Sequence, residues 1–425
     1  MQHSTVLRRA IGGCAALAVI MALAAAAAAQ QTLRFVSWQV NEPGFGEWWH
    51  AVIEEFEQTH DGVTIEFINV PRDSFADQMT TLFASGSPPE IVHLASFEFH
   101  AFADNGWLEN LDPYIERAGL DVSAWAGQNL CHWDGQHVCL MLLYFGGIMG
   151  YNAAMFEEAG IAVPTTYEEH IEAARALTQD LDGDGLIDRY GVGLSTASGP
   201  GVYLTELLSY VIDAGASWTD EAGEPTFDTP EMAEALGRWK TLIGENLTPL
   251  DLAAGDVRQL FIEGRIAMRI DGPWLYGVMR QAAPELVDQL KVAAPPLQPP
   301  LGGSSNVLAI PSEIDDDTKQ LVWEFIELVA SEEQQRHFAA AAASPAPRPG
   351  AVPDDIEGAV PHFDILLQTM DEASAAGVDR IPAGFEVQYN EFSKMVQEEA
   401  QRMLIEDLDP KDAAARMQER ALALR

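Results

Sequence analysis

Aromatic side chains near the ends of predicted strands are the residues best suited to contact a small ligand. The indole ring of tryptophan stacks on the apolar C–H faces of sugars, whose hydroxyl groups also need fixed donors and acceptors. Trp274 directly follows a predicted strand and opens a helix after Gly272 and Pro273, which predicts a position facing a cleft. Trp38 ends the first predicted strand, and Trp218 lies in a loop rich in glycine and serine. Ordinary core packing is the alternative for each of the three tryptophans.

Four other residues could supply the polar contacts of such a site. Glu98 ends the third predicted strand, where a carboxylate can accept hydrogen bonds from two hydroxyl groups; a solvent-facing acid is the alternative. Gly303 and Ser304 offer backbone N–H groups at the start of a strand, and a turn without a ligand explains them equally well. Arg348, in a segment rich in proline and alanine, is either a cleft residue or a surface arginine.

One acidic loop has the spacing of a calcium-binding loop. Its acids stand at loop positions 1, 3, 5 and 9, as Asp180, Asp182, Asp184 and Asp188. Gly185 takes position 6, but Gly191 stands at position 12, where such loops place a bidentate glutamate. The loop therefore predicts either a structural calcium ion with one ligand from elsewhere, or a helix-to-strand turn without metal. We expect no other cofactor.

Two cysteines flank a predicted β-hairpin. A DG dipeptide, typical of two-residue hairpin turns, lies midway between Cys131 and Cys139. The two thiols would face each other across a two-stranded ribbon, and an oxidising compartment would join them in a disulfide. His132 and His137 make a metal site the alternative, although ribbon residues this close together rarely supply four convergent ligands.

The first 30 residues predict export. Arg8 and Arg9 precede an almost wholly apolar or small stretch at residues 10–29, which is the pattern of a secretory signal peptide. An uncleaved membrane anchor is the alternative, but alanine-rich stretches insert poorly. Cys14 lies before the apolar stretch instead of after it, so we expect plain cleavage without a lipid at Cys14. The expected location is periplasmic or extracellular.

Composition excludes several classes of function. The formal net charge of −41 would repel the phosphates of a nucleic acid, so we expect no nucleic-acid partner. No nucleophile elbow, zinc-protease helix or Walker loop occurs in the sequence. With 65 acidic residues, carboxylates at glycosidase spacing arise by chance. We therefore expect a protein that is not an enzyme. The chain is also too long to fold around a single hydrophobic core, which suggests two domains.

The segments that must position these residues alternate between strand and helix. The predicted strands span 32–38, 63–70 and 90–95, and the predicted helices span 45–59 and 74–85. This order predicts a parallel sheet with helices on both faces. Such sheets bind ligands beyond the carboxyl ends of their strands, where Trp38 and Glu98 fall. A second α/β stretch begins near Tyr144, and the C-terminal third is mainly helical.

Several short strings, in this order along the chain, resemble the family-1 extracellular solute-binding proteins, the group that includes maltose-binding protein. The strings are GSPPEIV at 86–92, ADNGWLENL at 103–111, DGQHV at 134–138, GYNAAMFEEAG at 150–160, PTTY at 164–167, FIEGRIAM at 261–268, GPW at 272–274, WEF at 323–325 and SEEQQ at 331–335. After the hairpin the family has a proline followed by aromatic residues, whereas this chain has CLMLLYFGG at 139–147.

The resemblance implies a two-lobed α/β fold with a mainly parallel sheet in each lobe and a ligand cleft between them. It assigns residues 31–143 and 295–343 to the N-terminal lobe, and residues 144–294 and 344–425 to the C-terminal lobe. Crossings near Tyr144, Pro295 and Ala343 would join the lobes, and Tyr144 is thereby a candidate ligand contact. The implied function is capture of a mono- or oligosaccharide by hinge closure. A monomer would then deliver it to the permease subunits of an ABC importer.

Two other functions fit parts of the pattern. An exported carbohydrate-active enzyme would share the export signal, the aromatic residues and the abundant acids, and turnover of a glycan would identify it. A ligand-sensing subunit of a membrane receptor would share the fold, and neighbouring permease genes would argue against it.

Overall fold

The computed structural model describes residues 30–353, 360, 362–377 and 380–425. The strands are β1 (Gln31–Ser37), β2 (Val63–Asn69), β3 (Ile91–Ala95), β4 (His132–Trp133), β5 (Gln136–His137), β6 (Leu140–Gly146), β7 (Ile148–Asn152), β8 (Tyr190–Val192), β9 (Ile266–Asp271), β10 (Leu290–Ala293) and β11 (Gly302–Ala309). The helices of the first half are α1 (Phe45–Thr59), α2 (Arg72–Ala84), α3 (Phe99–Asp104), α4 (Asp112–Ala118), α5 (Ala153–Ala159), α6 (Tyr167–Leu177) and α7 (Pro200–Asp213). Those of the second half are α8 (Pro230–Gly244), α9 (Ala254–Ile262), α10 (Trp274–Met279), α11 (Pro284–Val287), α12 (Asp316–Ala330), α13 (Glu332–Ala342), α14 (Phe363–Ala375), α15 (Tyr389–Ile405) and α16 (Pro410–Ala423). None of the helices described here is both long enough and apolar enough to cross a bilayer.

The first sheet forms around strands whose apolar residues are buried on both faces. Its order is β2-β1-β3-β11-β6, with β1 parallel to β2 and β3, and β11 antiparallel to β3 and β6. Every residue of β3 is buried, as expected of a central strand covered on both sides. Helix α1 packs on one face through residues that recur every three or four positions, among them Phe45, Trp49 and Phe56. The predicted βαβαβ arrangement is confirmed.

The second sheet completes the two-lobed α/β fold. Its order is β10-β7-β9-β8; β8 and β9 are parallel, while β7 is antiparallel to both β9 and β10. This sheet is mixed, whereas the resemblance implies a mainly parallel one. The reason is the path of the chain, since β7 carries it away from the first sheet and β10 carries it back. Because β7 and β10 are neighbours and run in opposite directions, they pair antiparallel.

The chain passes between the sheets where two backbone segments lie close together. β6 continues into β7 through Gly147, whose N–H donates to the Leu301 carbonyl at 2.8 Å. A side chain at Gly147 would place its Cβ 2.6 Å from that oxygen, so the close approach requires glycine. The strands therefore change sheets at Gly147, three residues after the predicted boundary at 143/144, because β6 extends through Gly146.

Helix α14 lies against the crossing strands. A Cβ at Gly146 would overlap Thr369, and a Cβ at Gly302 would lie 2.9 Å from the Cβ of Ala373. The helix packs on β6 and β11 of the first sheet and also contacts β7 of the second, and its Leu366 joins a buried cluster with Phe261 and Leu290 of the second lobe. It thus lies against both sheets, and its assignment to the C-terminal lobe, like the other lobe boundaries, stays a prediction.

The predicted disulfide is confirmed. Strands β4 and β5 form a two-stranded ribbon around Asp134 and Gly135, whose φ angles of 49° and 77° suit a two-residue hairpin turn. Cys131 and Cys139 flank the ribbon with their Cα atoms 5.1 Å apart, and their sulfur atoms are bonded to each other. Both cysteines are fully buried against the first lobe.

The disulfide removes the thiolates that a metal site at the ribbon would use. The rings of His132 and His137 face each other across the ribbon, 3.9 Å apart between centroids. The Nδ1 atom of His137 lies 2.6 Å from the carboxylate of Asp112, which ties the ribbon to α4. These contacts favour a structural role for the two histidines.

Replacing Cys131 and Cys139 together by serine is expected to lower the free energy of unfolding by about 2–3 kcal/mol. The disulfide closes a short loop, with a sequence separation of eight, and so restricts the unfolded chain. Guanidinium chloride unfolding of the wild-type protein and the double variant would measure the difference. Reduced wild-type protein should match the variant; two free thiols in protein from an oxidising compartment would contradict the pairing.

Candidate ligand-binding site

A cavity of about 410 Å³ lies between the two lobes. Its wall on the first lobe is formed by residues at or just after the ends of β1, β2 and β3, namely Trp38, Gln39, Asn41, Glu42, Asn69, Arg72, Asp73, Ala95 and Phe97. Its wall on the second lobe comes from α7, α9 and the end of β9, namely Val202, Thr205, Glu206, Ser209, Ala254, Gly255, Arg258, Arg269, Ile270, Asp271, Gly272 and Trp274. Phe145, Gly147, Leu301, Ser305, Asn306 and Arg380 complete the lining. The carboxyl ends of parallel strands thus meet at the cavity, as such sheets require.

Trp38 contributes an indole ring that other groups already contact. Its ring lies nearly parallel to the buried ring of His93, with centroids 4.3 Å apart. The guanidinium group of Arg72 lies over the Trp38 ring at 4.9 Å and over the Phe97 ring at 5.4 Å. A guanidinium in this position is attracted by the electron-rich ring face. At Trp38, the cavity wall therefore presents the fixed guanidinium group of Arg72 and the edge of an indole ring.

Glu98 fixes that arginine from behind the wall. One of its carboxylate oxygens accepts a hydrogen bond from Nη2 of Arg72 at 2.8 Å, and the other accepts one from the Ala95 N–H at 3.2 Å. The Glu98 side chain is 3% exposed, whereas the Arg72 side chain is 24% exposed. The ligand can therefore reach the arginine while its partner carboxylate is covered.

Asp271 joins two arginines to the indole of Trp274. Its carboxylate accepts bonds from Nε and Nη2 of Arg258 at 2.8 and 3.0 Å, and from Nε of Arg269 at 2.8 Å. It also accepts the Nε1–H of Trp274 at 2.6 Å and the N–H of Gly272 at 2.9 Å. Burial alone would raise the pKa of Asp271, but Arg258 and Arg269 hold it well below its usual range. The carboxylate is thus a charged anchor that orients the indole.

Gly272 makes room for that indole. A Cβ at this position would overlap the six-membered ring of Trp274. The ring also lies 5.1 Å from the ring of Phe145, at the first crossing. The Trp274 indole is therefore held by the Asp271 bond at one edge and by packing against Gly272 and Phe145.

Acidic and basic side chains are equally numerous in the cavity wall. Within the described part of the chain, four arginines and four acids line the cavity: Arg72, Arg258, Arg269, Arg380, Glu42, Asp73, Glu206 and Asp271. Glu98 adds a fifth acid behind the wall, and Glu206 pairs with the buried Arg269 at 2.8 Å. Burial raises the pKa of Glu42, an effect that nearby Arg258 opposes. The cavity consequently lacks the surplus positive charge that would attract an anion.

The structure brings two of the predicted ligand contacts, Trp38 and Trp274, to the cavity wall. Glu98 lies three residues beyond the end of β3 and does not line the cavity, because it turns inward to Arg72. Trp218 is 3% exposed and packs against Phe227 and Phe392 in the core of the second lobe. Its core-packing alternative is the one that the structure supports.

Two predicted residues at the crossings point away from the cavity. Tyr144 lies against Gly127, while its neighbour Phe145 lines the cavity, since side chains alternate along β6. Ser304 donates to Ser96 at 3.0 Å, whereas Ser305 and Asn306 reach the wall. The register of β11 shifts between Ser304 and Asn306, so two successive residues face the cavity.

The remaining two predicted contacts also lie outside the cavity. Gly303 precedes the wall residues of β11 and is not among them. Arg348 donates to the carbonyl of Ala330 at 2.6 Å, and its guanidinium lies 5.9 Å from the Trp125 ring. Arg348 is therefore a packing residue of the first lobe, and its prediction as a ligand contact is not supported.

Sequence reasoning missed the cavity arginines. Arg72 follows β2 at the same sheet edge as Trp38, so the strand-end rule applied to β2 would have found it. Arg258 and Arg269 come together through the packing of α9 on β9, and nothing in their spacing marks them. A positive side chain at a strand end is nevertheless a signal in a chain with 24 Lys and Arg against 65 acids.

The acidic loop brings three of its four predicted calcium ligands together. Carboxylate oxygens of Asp180, Asp182 and Asp188 lie within 4.8 Å of one another. Asp184 instead accepts the Leu186 N–H at 2.8 Å. The Asp180 carboxylate accepts two backbone N–H groups within the loop, a turn arrangement that needs no metal. The calcium ion stays a prediction.

A model of the family described as bacterial extracellular solute-binding protein matches residues 40–336. A Brucella abortus (strain 2308) protein described as a binding protein is 28% identical over 261 residues, 60% of this chain and 61% of the relative. The chain thus aligns with less than two thirds of that curated relative.

Solved structures of the same fold cover nearly the whole chain. The maltose-bound MalE3 of T. maritima is 20% identical, with a TM-score of 0.80 over 93% of this chain and 99% of that one. An ABC transporter solute-binding protein of Thermotoga lettingae, bound to α-D-tagatose, is 24% identical, with a TM-score of 0.77 over 92% and 98%. Likenesses at this identity confirm the two-lobed fold.

Proposed function

Because the chain belongs to the family of bacterial extracellular solute-binding proteins, we propose that it captures a neutral sugar or polyol between its lobes. A mono- or oligosaccharide would bind in the cavity, and the lobes would close around it by hinge motion. The permease of an ABC importer would then accept the loaded protein. The free energy of ligand contact selects the closed state, so the cycle needs no catalytic group.

The observation that carries the proposal is the cavity with its two indoles and paired charges. Its volume of about 410 Å³ lies within the usual range for small-molecule sites. Trp274 supplies an oriented aromatic surface, and the arginine, asparagine and carboxylate groups of the wall supply donors and acceptors for hydroxyl groups. The similar structures that hold maltose and α-D-tagatose support the same ligand class.

The paired charges of the cavity wall restrict the class of ligand that the cavity can bind. Each of Arg72, Arg258 and Arg269 is paired with a carboxylate at 2.8 Å. A phosphate or carboxylate on the ligand would have to compete with those acids for the three guanidinium groups. The cavity therefore suits neutral hydroxyl groups better than an anion.

Membership of a family of extracellular proteins supports a periplasmic or extracellular location for the chain. The predicted signal peptide at residues 1–30 lies, up to residue 29, outside the described residues. We propose that it is cleaved and that the mature protein acts as a monomer without a lipid at Cys14. This scheme requires contact with permease subunits and none with nucleic acid.

Titration of tryptophan fluorescence and calorimetry against a defined panel tests the proposal. The panel holds maltose, maltotriose, D-tagatose, ribitol and glucose 1-phosphate. We expect at least one neutral member to bind and Trp274→Ala to weaken that binding at least tenfold, about 1.4 kcal/mol. Recovery of the bound sugar unchanged would separate binding from turnover by an enzyme. Silence across every sugar and polyol would contradict the proposed ligand class.

A further inference from the structure

The cavity wall contains an arginine whose charge is cancelled by a residue the ligand cannot touch. Arg72 lines the cavity and is held by Trp38, Phe97 and Glu98. Glu98 is buried, does not line the cavity, and pairs with Arg72 at 2.8 Å. Its second oxygen is engaged by the Ala95 N–H, so the carboxylate is fixed on both sides.

From this geometry we propose that Glu98 is a positioning and specificity-determining residue. It neutralises the charge of Arg72, so that the cavity binds anionic ligands only weakly. A guanidinium with a free charge binds phosphate and carboxylate groups strongly, through two parallel hydrogen bonds. A guanidinium already paired with a buried carboxylate can still donate hydrogen bonds from its remaining N–H groups to an uncharged ligand. The Arg72–Glu98 pair would thus bind the hydroxyl oxygens of a neutral sugar and disfavour phosphorylated or acidic sugars.

The charges around Arg72 agree with this role. Asp73 follows it in the chain and also lines the cavity, where its carboxylate accepts the Gly199 N–H of the second lobe at 2.8 Å. Removing the charge of Glu98 would therefore shift a nearly balanced wall toward positive charge, with the change concentrated at Arg72.

The preference for neutral sugars rests on the proposed function, whereas the phosphate-binding test does not depend on it. Inorganic phosphate serves as the probe, and tryptophan fluorescence next to Arg72 reports its binding. We expect the wild-type protein to bind phosphate weakly and Glu98→Gln to bind it at least tenfold more tightly. The double variant Arg72→Met/Glu98→Gln should lose that gain, and Glu98→Asp, which keeps the charge, should not show it.

A matched control is available in the same lobe. Arg34 and Glu90 form a pair at 2.9 Å that does not line the cavity, so Glu90→Gln should leave phosphate binding at the wild-type level. Should Glu98→Gln fail to fold, Glu98→Ser carries the same prediction, since Glu98 stands at the N-cap position of α3 without a capping side-chain bond, and serine is favoured at that position. Tight phosphate binding by the wild-type protein would overturn the inference. So would the absence of a gain in folded Glu98 variants, or a gain that survives loss of Arg72.

These outcomes are independent of the sugar panel. Failure of every sugar to bind would count against the proposed function and leave the phosphate comparison intact. A sugar-binding protein that shows no phosphate gain on loss of Glu98 would instead contradict the role of Glu98 alone.

Discussion

Replacing Asp271 by alanine is expected to lower ligand affinity at least a hundredfold and to lower the free energy of unfolding by about 3–5 kcal/mol. The substitution deprives Arg258 of the carboxylate that it pairs with, and deprives the Trp274 indole of its 2.6 Å hydrogen bond. Arg269 keeps Glu206, so the loss falls mainly on the Arg258 side of the network. Calorimetric titration with the panel member that binds and guanidinium chloride unfolding would measure both effects.

Two companion variants separate the charge from the indole. Asp271→Asn keeps the shape and removes the charge, so it should lose most of the same stability. Gly272→Ala should displace the indole while leaving the carboxylate and its arginines in place, because its Cβ overlaps the Trp274 ring. We expect it to weaken binding with a smaller loss of stability. An Asp271→Ala protein that binds as tightly as the wild type would show that Asp271 does not orient the site.

Acidification is expected to destabilise the protein already at pH values above those at which carboxylates titrate. Burial lowers the pKa of His93 to about 3, with a further contribution from Arg72, and lowers the pKa of His170 to about 4. In the unfolded chain both imidazole rings become protonated near pH 6.5, whereas in the folded chain they stay neutral at that pH. Stability is therefore complete above pH 6.5 and is lost as pH falls toward the folded values. The two residues together should cost about 3 kcal/mol between pH 6.5 and 5.

Denaturant unfolding at a series of pH values would measure this slope. Replacing His170 by glutamine should reduce the proton uptake on unfolding by about one near pH 5. His337, exposed on α13, provides the control, because solvent reaches its ring in both the folded and unfolded states. A free energy of unfolding that stays constant from pH 6.5 to 5 would contradict the burial of two neutral histidines.

The first lobe could be predicted in detail because its elements have strong periodicity. The helix predicted at residues 45–59 coincides with Phe45–Thr59, where one face is buried throughout. Trp38 and Trp274 could be placed at the cavity because strand ends meet there in parallel sheets. The disulfide followed from a turn dipeptide midway between two cysteines.

The remaining site depended on contacts that spacing does not encode. A one-residue error along a strand exchanges its two faces, which is why Phe145 and Ser305 line the cavity in place of Tyr144 and Ser304. Trp218 lies in a loop, and only its packing against the second-lobe core decides its burial. The arginine network was missed because its members come from α9, β9 and α7, far apart in the sequence.

The central claim is that a neutral sugar or polyol binds between the lobes. A crystal structure of the protein with the tightest-binding panel member tests it most directly. We predict ligand density in the cavity, with a sugar face on the Trp274 indole and hydroxyl groups within hydrogen-bond distance of Arg72. Density for the ligand elsewhere on the protein, with the cavity filled by water alone, would contradict the account.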